Sequence, residues 1–124
     1  SIDLLPTFAS ITGKPLPKGR KIDGVDASGL LTGKANLTRN EFIHYTSRGE
    51  VEGIRQGKWK LLIKKKTGKA KGQNDIFLFD LGQDLGEQNN LASKNPKMVA
   101  KLERRMIQVD TEITKNARTP WLKQ

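Results

Sequence analysis

The sequence predicts an α+β fold: a small four-stranded antiparallel sheet packed by a C-terminal helix and preceded by an N-terminal helix and loop. Two short β-prone runs flank Gln56-Gly57, where glycine supplies the positive φ of a tight hairpin turn. Near the end of the chain, apolar residues recur every three or four positions, which is the period of an amphipathic helix. We therefore expect the strands and the last helix to share one core.

Alternation of apolar and polar residues defines the strands. The strand after the turn places three apolar side chains on one face: Trp59, Leu61 and Ile63. The first strand alternates as well, with Phe42, His44 and Thr46 on one face. The last strand, at residues 76–81, is a continuous apolar run with the length of a buried strand. The four predicted strands cover residues 41–46, 51–56, 58–64 and 76–81.

The N-terminal part predicts one helix followed by a loop. Residues 3–12 form the helix, with Asp3 as its N-cap and Gly13 at its end. The loop is rich in Pro and Gly, and we expect a turn at residues 23–26 and one helical turn at residues 27–32.

The C-terminal helix has the clearest signals. Asn95 suits the N-cap, and Pro96 suits the first helical position, where its missing N–H costs little. One apolar stripe is expected to cover the sheet: Val99, Leu102, Met106, Val109 and Ile113.

Composition limits both the core and the kind of partner. The 124 residues are 35% hydrophobic, which suits a modest interior, and no apolar run is long enough to span a membrane. The lack of cysteine excludes a disulfide framework, a thiol nucleophile and cysteine metal sites. The net charge of +10 predicts an anionic partner or a strongly solvated surface. Much of this positive charge lies in residues 58–71. This segment is either a solubilising lysine loop beside an edge strand or an electrostatic binding surface for nucleic acid or a sulfated polymer.

A self-contained active site is hard to assemble from these residues. A single histidine excludes histidine-rich metal sites, and no nucleophile elbow, Walker loop or dinucleotide fingerprint occurs. Asp80, Asp84 and Glu87 lack the spacing of a calcium loop and predict a capped turn. His44 either fills the sheet face or, with Arg48, reaches an anionic substrate held by another domain. We therefore predict no catalytic residue and no metal ligand in this chain.

Short motifs follow one another in a specific order along nearly the whole chain. They read D-L-L-P-T at residues 3–7, G-x-P-x-P at 13–17, I-D-G-V-D at 22–26, L-L-T-G at 30–33, I-R-x-G-x-W-K-L at 54–61 and F-D-L-x-x-D-x-G-E-x-x-N-L-A at 79–92. Together they resemble the C-terminal region of formylglycine-dependent sulfatases, the arylsulfatase-like family. One departure is Leu85-Gly86, where the family commonly has proline then glycine.

The resemblance implies the domain organisation. Residues 41–124 would be the C-terminal sulfatase subdomain, and residues 1–40 the tail end of an α/β catalytic domain in an alkaline-phosphatase-like parent. The chain starts at Ser1 inside a helical pattern, so we expect a fragment of a longer protein. Its partners would be the N-terminal catalytic domain of the same parent chain and an anionic, sulfated substrate, whereas nucleic acid is not expected. A secreted, periplasmic or lysosomal-type compartment is implied.

The resemblance also implies the chemistry of the parent. Family members are sulfuric ester hydrolases that use a calcium ion and a formylglycine, both held by motifs upstream of this region. The parent would act on a sulfated glycan or an aryl sulfate. The fragment is expected to be inert and to give structural support. It would also supply one wall of the substrate pocket, with His44 and Arg48 as the substrate-binding candidates, because arginine binds sulfate or carboxylate in a bidentate manner.

Two other hypotheses stay open at this point. In the first, the motifs serve only the fold, and the chain is a stand-alone basic module that binds nucleic acid or an anionic glycan. In the second, the parent belongs to the wider alkaline-phosphatase-like group and hydrolyses phosphate esters. The strength and salt dependence of binding would test the first.

Overall fold

The chain divides into two units, Ser1–Arg39 and Asn40–Gln124. A computed structural model describes residues 2–19, 21–34, 39–66, 72 and 74–117. The predicted lysine cluster at residues 58–71 therefore lies partly outside the described residues. Within those ranges, no helix is long and apolar enough to cross a membrane.

The first unit contains two helices, α1 (Leu4–Thr12) and α2 (Ser28–Leu31). Gly13 ends α1 with a φ of 65°, as predicted. The prediction of a turn at residues 23–26 was wrong, because this segment has no turn. Gly24 instead passes close to the start of α1, where a Cβ would lie 2.0 Å from the Ile2 carbonyl oxygen.

Asp3 holds the loop rather than capping the helix. It occupies the N-cap position of α1, but its carboxylate makes no cap hydrogen bond, so this part of the prediction was wrong. Its Oδ1 accepts the Val25 N–H at 2.8 Å and also pairs with Arg39. These two contacts lower the pKa of Asp3, the backbone hydrogen bond contributing more than the guanidinium.

The second unit is built on one antiparallel sheet with the strand order β1-β2-β3-β4. Its strands are β1 (Glu41–Tyr45), β2 (Val51–Gln56), β3 (Trp59–Lys64) and β4 (Asp75–Asp80). Each bound lies within one residue of the predicted one. Gly57 has a φ of 58° in the tight turn between β2 and β3, which confirms the predicted hairpin. Every strand therefore pairs with its neighbour in sequence.

The core lies between the sheet and α3 (Pro96–Lys115). Residues paired across the four strands present one apolar row: Ile43, Ile54, Leu61 and Leu78. Leu102 and Met106 of α3 are buried in the same cluster, and Val99 packs against it. This confirms the central part of the predicted stripe. Ile113, in the last turn of the helix, stays 39% exposed.

Polar contacts fix α3 to β1 beside this core. Arg105 makes a bidentate pair with Glu41, with both nitrogen–oxygen distances at 2.8 Å. Farther along the helix, the Tyr45 hydroxyl donates to Asp110 at 3.1 Å. The helix is therefore held to the edge strand at two points, Arg105 and Asp110, which are about one and a half helical turns apart.

The start of α3 differs from the prediction in one detail. Pro96 occupies the first turn and Asn95 the N-cap position, as expected. However, the Asn95 side chain makes no cap hydrogen bond, and its Nδ2 instead donates back to the Leu91 carbonyl at 3.2 Å. Asn95 thus stabilises the turn before the helix.

The outer edge of β4 is covered by the segment that follows it. Asn90 Oδ1 accepts the Leu78 N–H at 3.0 Å, while Asn90 Nδ2 donates to the Ile76 carbonyl at 3.0 Å. The Leu91 N–H donates to the Leu78 carbonyl at 2.8 Å. A side-chain amide thus replaces a further strand and satisfies backbone groups that an edge leaves open.

Candidate functional site: the open face of the sheet

The open face is the side of the sheet turned away from α3, and it contains the predicted site residue His44. Because side chains alternate along a strand, it consists of the positions between the core residues. They are Phe42, His44, Gly53, Arg55, Lys60, Leu62, Phe77 and Phe79. The face therefore mixes aromatic, aliphatic and cationic side chains.

Gly53 is required at the centre of the open face. A Cβ at this position would lie 2.5 Å from the Leu61 carbonyl oxygen and 2.6 Å from Leu62 Cδ2. Leu62 fills the space that a side chain on β2 would otherwise take. His44 is the β1 residue paired with this glycine, so its ring has no β2 side chain directly beside it.

His44 is a partly buried ring with one unpaired nitrogen. Its ring meets Phe42 edge to face, with centroids 5.1 Å apart and planes at 66°. Its Nε2 is buried and has no hydrogen-bond partner among the described residues. Burial lowers the pKa of His44 below its ordinary value of 6.5; the positive charges of Lys60 and Arg55 add to this shift, and nearby glutamates oppose it. The imidazole is therefore neutral at pH 7.

Glu87 reaches the open face from the turn after β4. Its carboxylate pairs with Lys60 at 2.6 Å, and the Lys60 side chain is only 18% exposed. Glu87 has a φ of 56°, in the left-handed region that non-glycine residues rarely adopt. The Lys60–Glu87 pair joins the motif at residues 54–61 to the motif at residues 79–92. This contact is a physical reason for the lysine in the first motif and the glutamate in the second.

Carboxylates compensate part of the predicted lysine cluster. Three ion pairs form: Lys58–Asp80 at 2.7 Å, Lys60–Glu87 at 2.6 Å and Lys66–Asp75 at 2.9 Å. The Lys64 ammonium lies 5.5 Å from the centre of the Phe77 ring. Lys69 and Lys71 lie outside the described residues. Of the five described lysines in the cluster, three are thus paired with a carboxylate, whereas Lys64 and Lys65 are not.

Asp84 forms the capped turn that the sequence predicts. Its carboxylate accepts the Gln88 N–H at 3.1 Å and the Asn89 N–H at 2.7 Å, and these bonds lower the pKa of Asp84. No group of three or more His, Cys, Asp or Glu side chains within the described ranges is placed to hold a metal ion. The residues present therefore do not fit a calcium site.

Arg48 lies in the turn that follows the strand of His44. It is exposed in the β1–β2 turn, and its backbone N–H donates to Thr46 Oγ1 at 3.3 Å. Both residues are described, and no hydrogen bond joins their side chains. The structure therefore places them in one strand and its following turn without joining their side chains by a hydrogen bond.

Sequence reasoning missed the charged neighbours of His44 on the open face. These are Lys60, Glu87 and Arg55, all of which affect its pKa. The strand register could have identified Arg55 and Lys60. Arg55 pairs with Phe42 of β1 and with Lys60 of β3, so these residues lie on the same face as His44. Glu87 could not be found this way, since it belongs to a turn.

The chain matches known sulfatases over most of its length. Human arylsulfatase A is 30% identical in an alignment 140 positions long, which covers 92% of this chain and 27% of that protein. The N-acetylgalactosamine-6-O-sulfatase of Bacteroides thetaiotaomicron is 29% identical over 119 residues, covering 89% and 23% respectively. A sulfatase structure from work on glycosaminoglycan metabolism by this bacterium has a TM-score of 0.71 at 23% identity, covering 88% of this chain and 24% of that one. The chain is a C-terminal region of the sulfatase family.

This sulfatase region is short compared with its relatives. It spans 27% of human arylsulfatase A and 20% of human steryl-sulfatase. No family model matches it. The predicted fold, a four-stranded antiparallel sheet with a C-terminal helix, is confirmed by the structure and by its sulfatase neighbours.

Proposed function

We propose that the parent of this region hydrolyses sulfate esters, on a sulfated glycan or an aryl sulfate. The observation that supports this most directly is the similarity to arylsulfatase A over 92% of the chain. A second relative is named for a sulfated sugar, N-acetylgalactosamine 6-O-sulfate, which favours the glycan. The similarities lend no support to a stand-alone binding module.

The region itself has a supporting role in this proposal. It contains no cysteine, and none of its serines begins the S-x-P-x-R sequence from which a formylglycine could be made. Its described residues do not fit a calcium site. Calcium and formylglycine would therefore belong to the remaining part of the parent, and the isolated chain would be inert.

Residues 1–40 would form the tail end of the N-terminal catalytic domain. One side of α1 and the residue before its N-cap are apolar, and each side chain there is 49 to 57% exposed: Ile2, Leu4, Leu5, Phe8 and Ile11. Exposed apolar area of this kind is typical of an interaction surface. The catalytic domain of the same chain is its proposed partner.

His44 and Arg48 would form one wall of the substrate pocket. The unpaired Nε2 of His44 can hydrogen-bond to a neutral or anionic group of the substrate. Arg48 is exposed and offers a planar, permanently charged donor for a sulfate or carboxylate. The pair would bind the part of the substrate that surrounds the ester rather than take part in the chemistry.

The test starts with the coding sequence upstream of Ser1. A [CS]-x-P-x-R motif there is expected, and the purified full-length parent should hydrolyse an aryl sulfate while the 124-residue chain does not. Hydrolysis of aryl phosphate alone would show a phosphate-ester enzyme instead. A start codon immediately before Ser1 would overturn the proposal.

The pocket wall is tested in the full-length parent. His44→Asn and Arg48→Gln should each raise KM for the natural substrate, by about 10-fold for a charge-assisted hydrogen bond, and change kcat little. Lys18→Gln, at an exposed position of the first unit, is the matched control. Equal kinetics in all three variants would remove both residues from the site.

A further inference from the structure

Exposed cations that form no ion pair with another described residue lie along α3 as well as at Lys64 and Lys65. Around β3, the lysines at 58, 60 and 66 are each paired with a carboxylate. The exposed basic side chains of α3 and the turn before it are defined here as the outer stripe: Lys94, Lys97, Lys101, Arg104 and Lys115. None of them forms an ion pair with another described residue.

Helix geometry aligns the outer stripe. Positions 97, 101, 104 and 115 are separated by three, four and eleven residues, so they recur on one side of a helix with 3.6 residues per turn. This side is opposite the buried Leu102 and Met106. At about 1.5 Å per residue, the stripe from Lys97 to Lys115 is about 27 Å long. It is therefore a linear row of cations facing solvent.

The other charges of α3 do not cancel this row. Glu103 is half-buried on the flank of the helix, and Asp110 accepts the bond from the Tyr45 hydroxyl. Arg105 is neutralised by Glu41 and does not belong to the stripe. Glu112, within reach of Gln108, borders the stripe at its last turns.

We propose that the outer stripe binds a linear sulfated polysaccharide and so holds a polymeric substrate at a surface separate from the pocket wall. The choice of a sulfated glycan rests on the proposed function of the parent. Cations aligned on one side of a helix suit a chain of sulfates, because binding releases condensed counterions from the polyanion. Residues 94–115 contain no aromatic residue, so the stripe lacks the stacking platform of single-stranded nucleic-acid sites.

The test compares two triple variants of the 124-residue chain. One removes the centre of the stripe, with Lys97→Gln, Lys101→Gln and Arg104→Gln. The control, Lys14→Gln, Lys18→Gln and Lys34→Gln, removes the same charge from exposed positions of the first unit. Heparin is the probe, and its affinity is measured as a function of salt.

The stripe variant should bind heparin at least about 10-fold more weakly than the control variant does at 0.15 M salt. Its slope of log affinity against log salt should be smaller by about 2 to 3, since three contacts are lost. Equal weakening in both triples would mean that net charge alone attracts heparin and would overturn the proposal. So would a larger loss of binding to single-stranded DNA than to heparin.

The full-length parent separates this proposal from the proposed function. Stripe variants should raise KM for a sulfated polymer and leave the hydrolysis of a small aryl sulfate unchanged. A parent that cleaves no sulfate ester would contradict the proposed function, whereas unchanged polymer kinetics in an active parent would contradict the stripe alone.

Discussion

Replacing Asn90 by alanine tests how the edge of the sheet is protected. The substitution removes the acceptor of the Leu78 N–H and the donor to the Ile76 carbonyl, both at 3.0 Å, and also the acceptor of the Ala92 N–H. Leu78 is fully buried, and the side chain of the exposed Asn90 shields its N–H from water. A buried, unsatisfied backbone donor costs about 1–3 kcal/mol, and each of the two other bonds, both exposed, contributes about 0.5 kcal/mol.

We therefore expect Asn90→Ala to lower the free energy of unfolding by about 2–4 kcal/mol. Urea unfolding followed by circular dichroism measures this value, and amide hydrogen exchange reports the Leu78 N–H directly. Exchange of that amide should become roughly 10- to 1000-fold faster, because 1.4 kcal/mol corresponds to a factor of ten. Both readouts address the same backbone group.

Two further variants make the result specific. Asn90→Asp keeps the acceptor for Leu78 but places a carboxylate oxygen against the Ile76 carbonyl, so its effect should be intermediate. Asn89→Ala, next in sequence, removes one exposed side-chain bond of 3.3 Å and should cost less than about 0.5 kcal/mol. If Asn90→Ala were no more damaging than Asn89→Ala, the segment after β4 would not protect this edge.

Three other predictions follow from the open face. An NMR titration follows the single histidine. Lys60→Met should raise the pKa of His44, and Glu87→Gln should lower it. Two shifts of the same sign would refute the assignment of Lys60 and Glu87 as charged neighbours of His44. Because folding lowers the pKa of His44, the unfolded chain binds more protons. The stability contributed by His44 should be complete above pH 6.5 and be lost as the pH falls from there towards the folded pKa, and His44→Gln should flatten urea midpoints between about pH 7 and 5. Gly53→Ala should destabilise by about 1–3 kcal/mol through overpacking, whereas Gly86→Ala, whose Cβ would make only ordinary contacts, should change the urea midpoint little.

The sheet could be predicted closely because its signals are local. Alternation of apolar and polar residues located the strands. The glycine at position 57, which has a positive φ in the structure, located the central turn. The helical stripe was equally clear, and Leu102 and Met106 are buried as its period requires. These features depend on neighbouring residues along the chain, which the sequence displays directly.

Side-chain partners could not be predicted in the same way. Asp3 and Asn95 occupy N-cap positions, yet neither caps its helix. Asp3 accepts the Val25 N–H from 22 residues away, and Asn95 donates back to the Leu91 carbonyl in the preceding turn. The lysines near β3 look like a continuous basic patch in the sequence, but strand pairing brings carboxylates to them. For the same reason His44 meets Lys60 and Glu87 on the open face rather than Arg48, which is closer in sequence.

The pairing of each strand with its sequence neighbour also sets an order of assembly. A meander can form hairpin by hairpin as the polypeptide leaves the ribosome, since no strand waits for a distant partner. The helix that covers the apolar row emerges last, so the row of Ile54, Leu61 and Leu78 is complete before its cover exists. The nascent domain is therefore most prone to aggregation, and most in need of a chaperone, in the interval between closure of β4 and docking of α3.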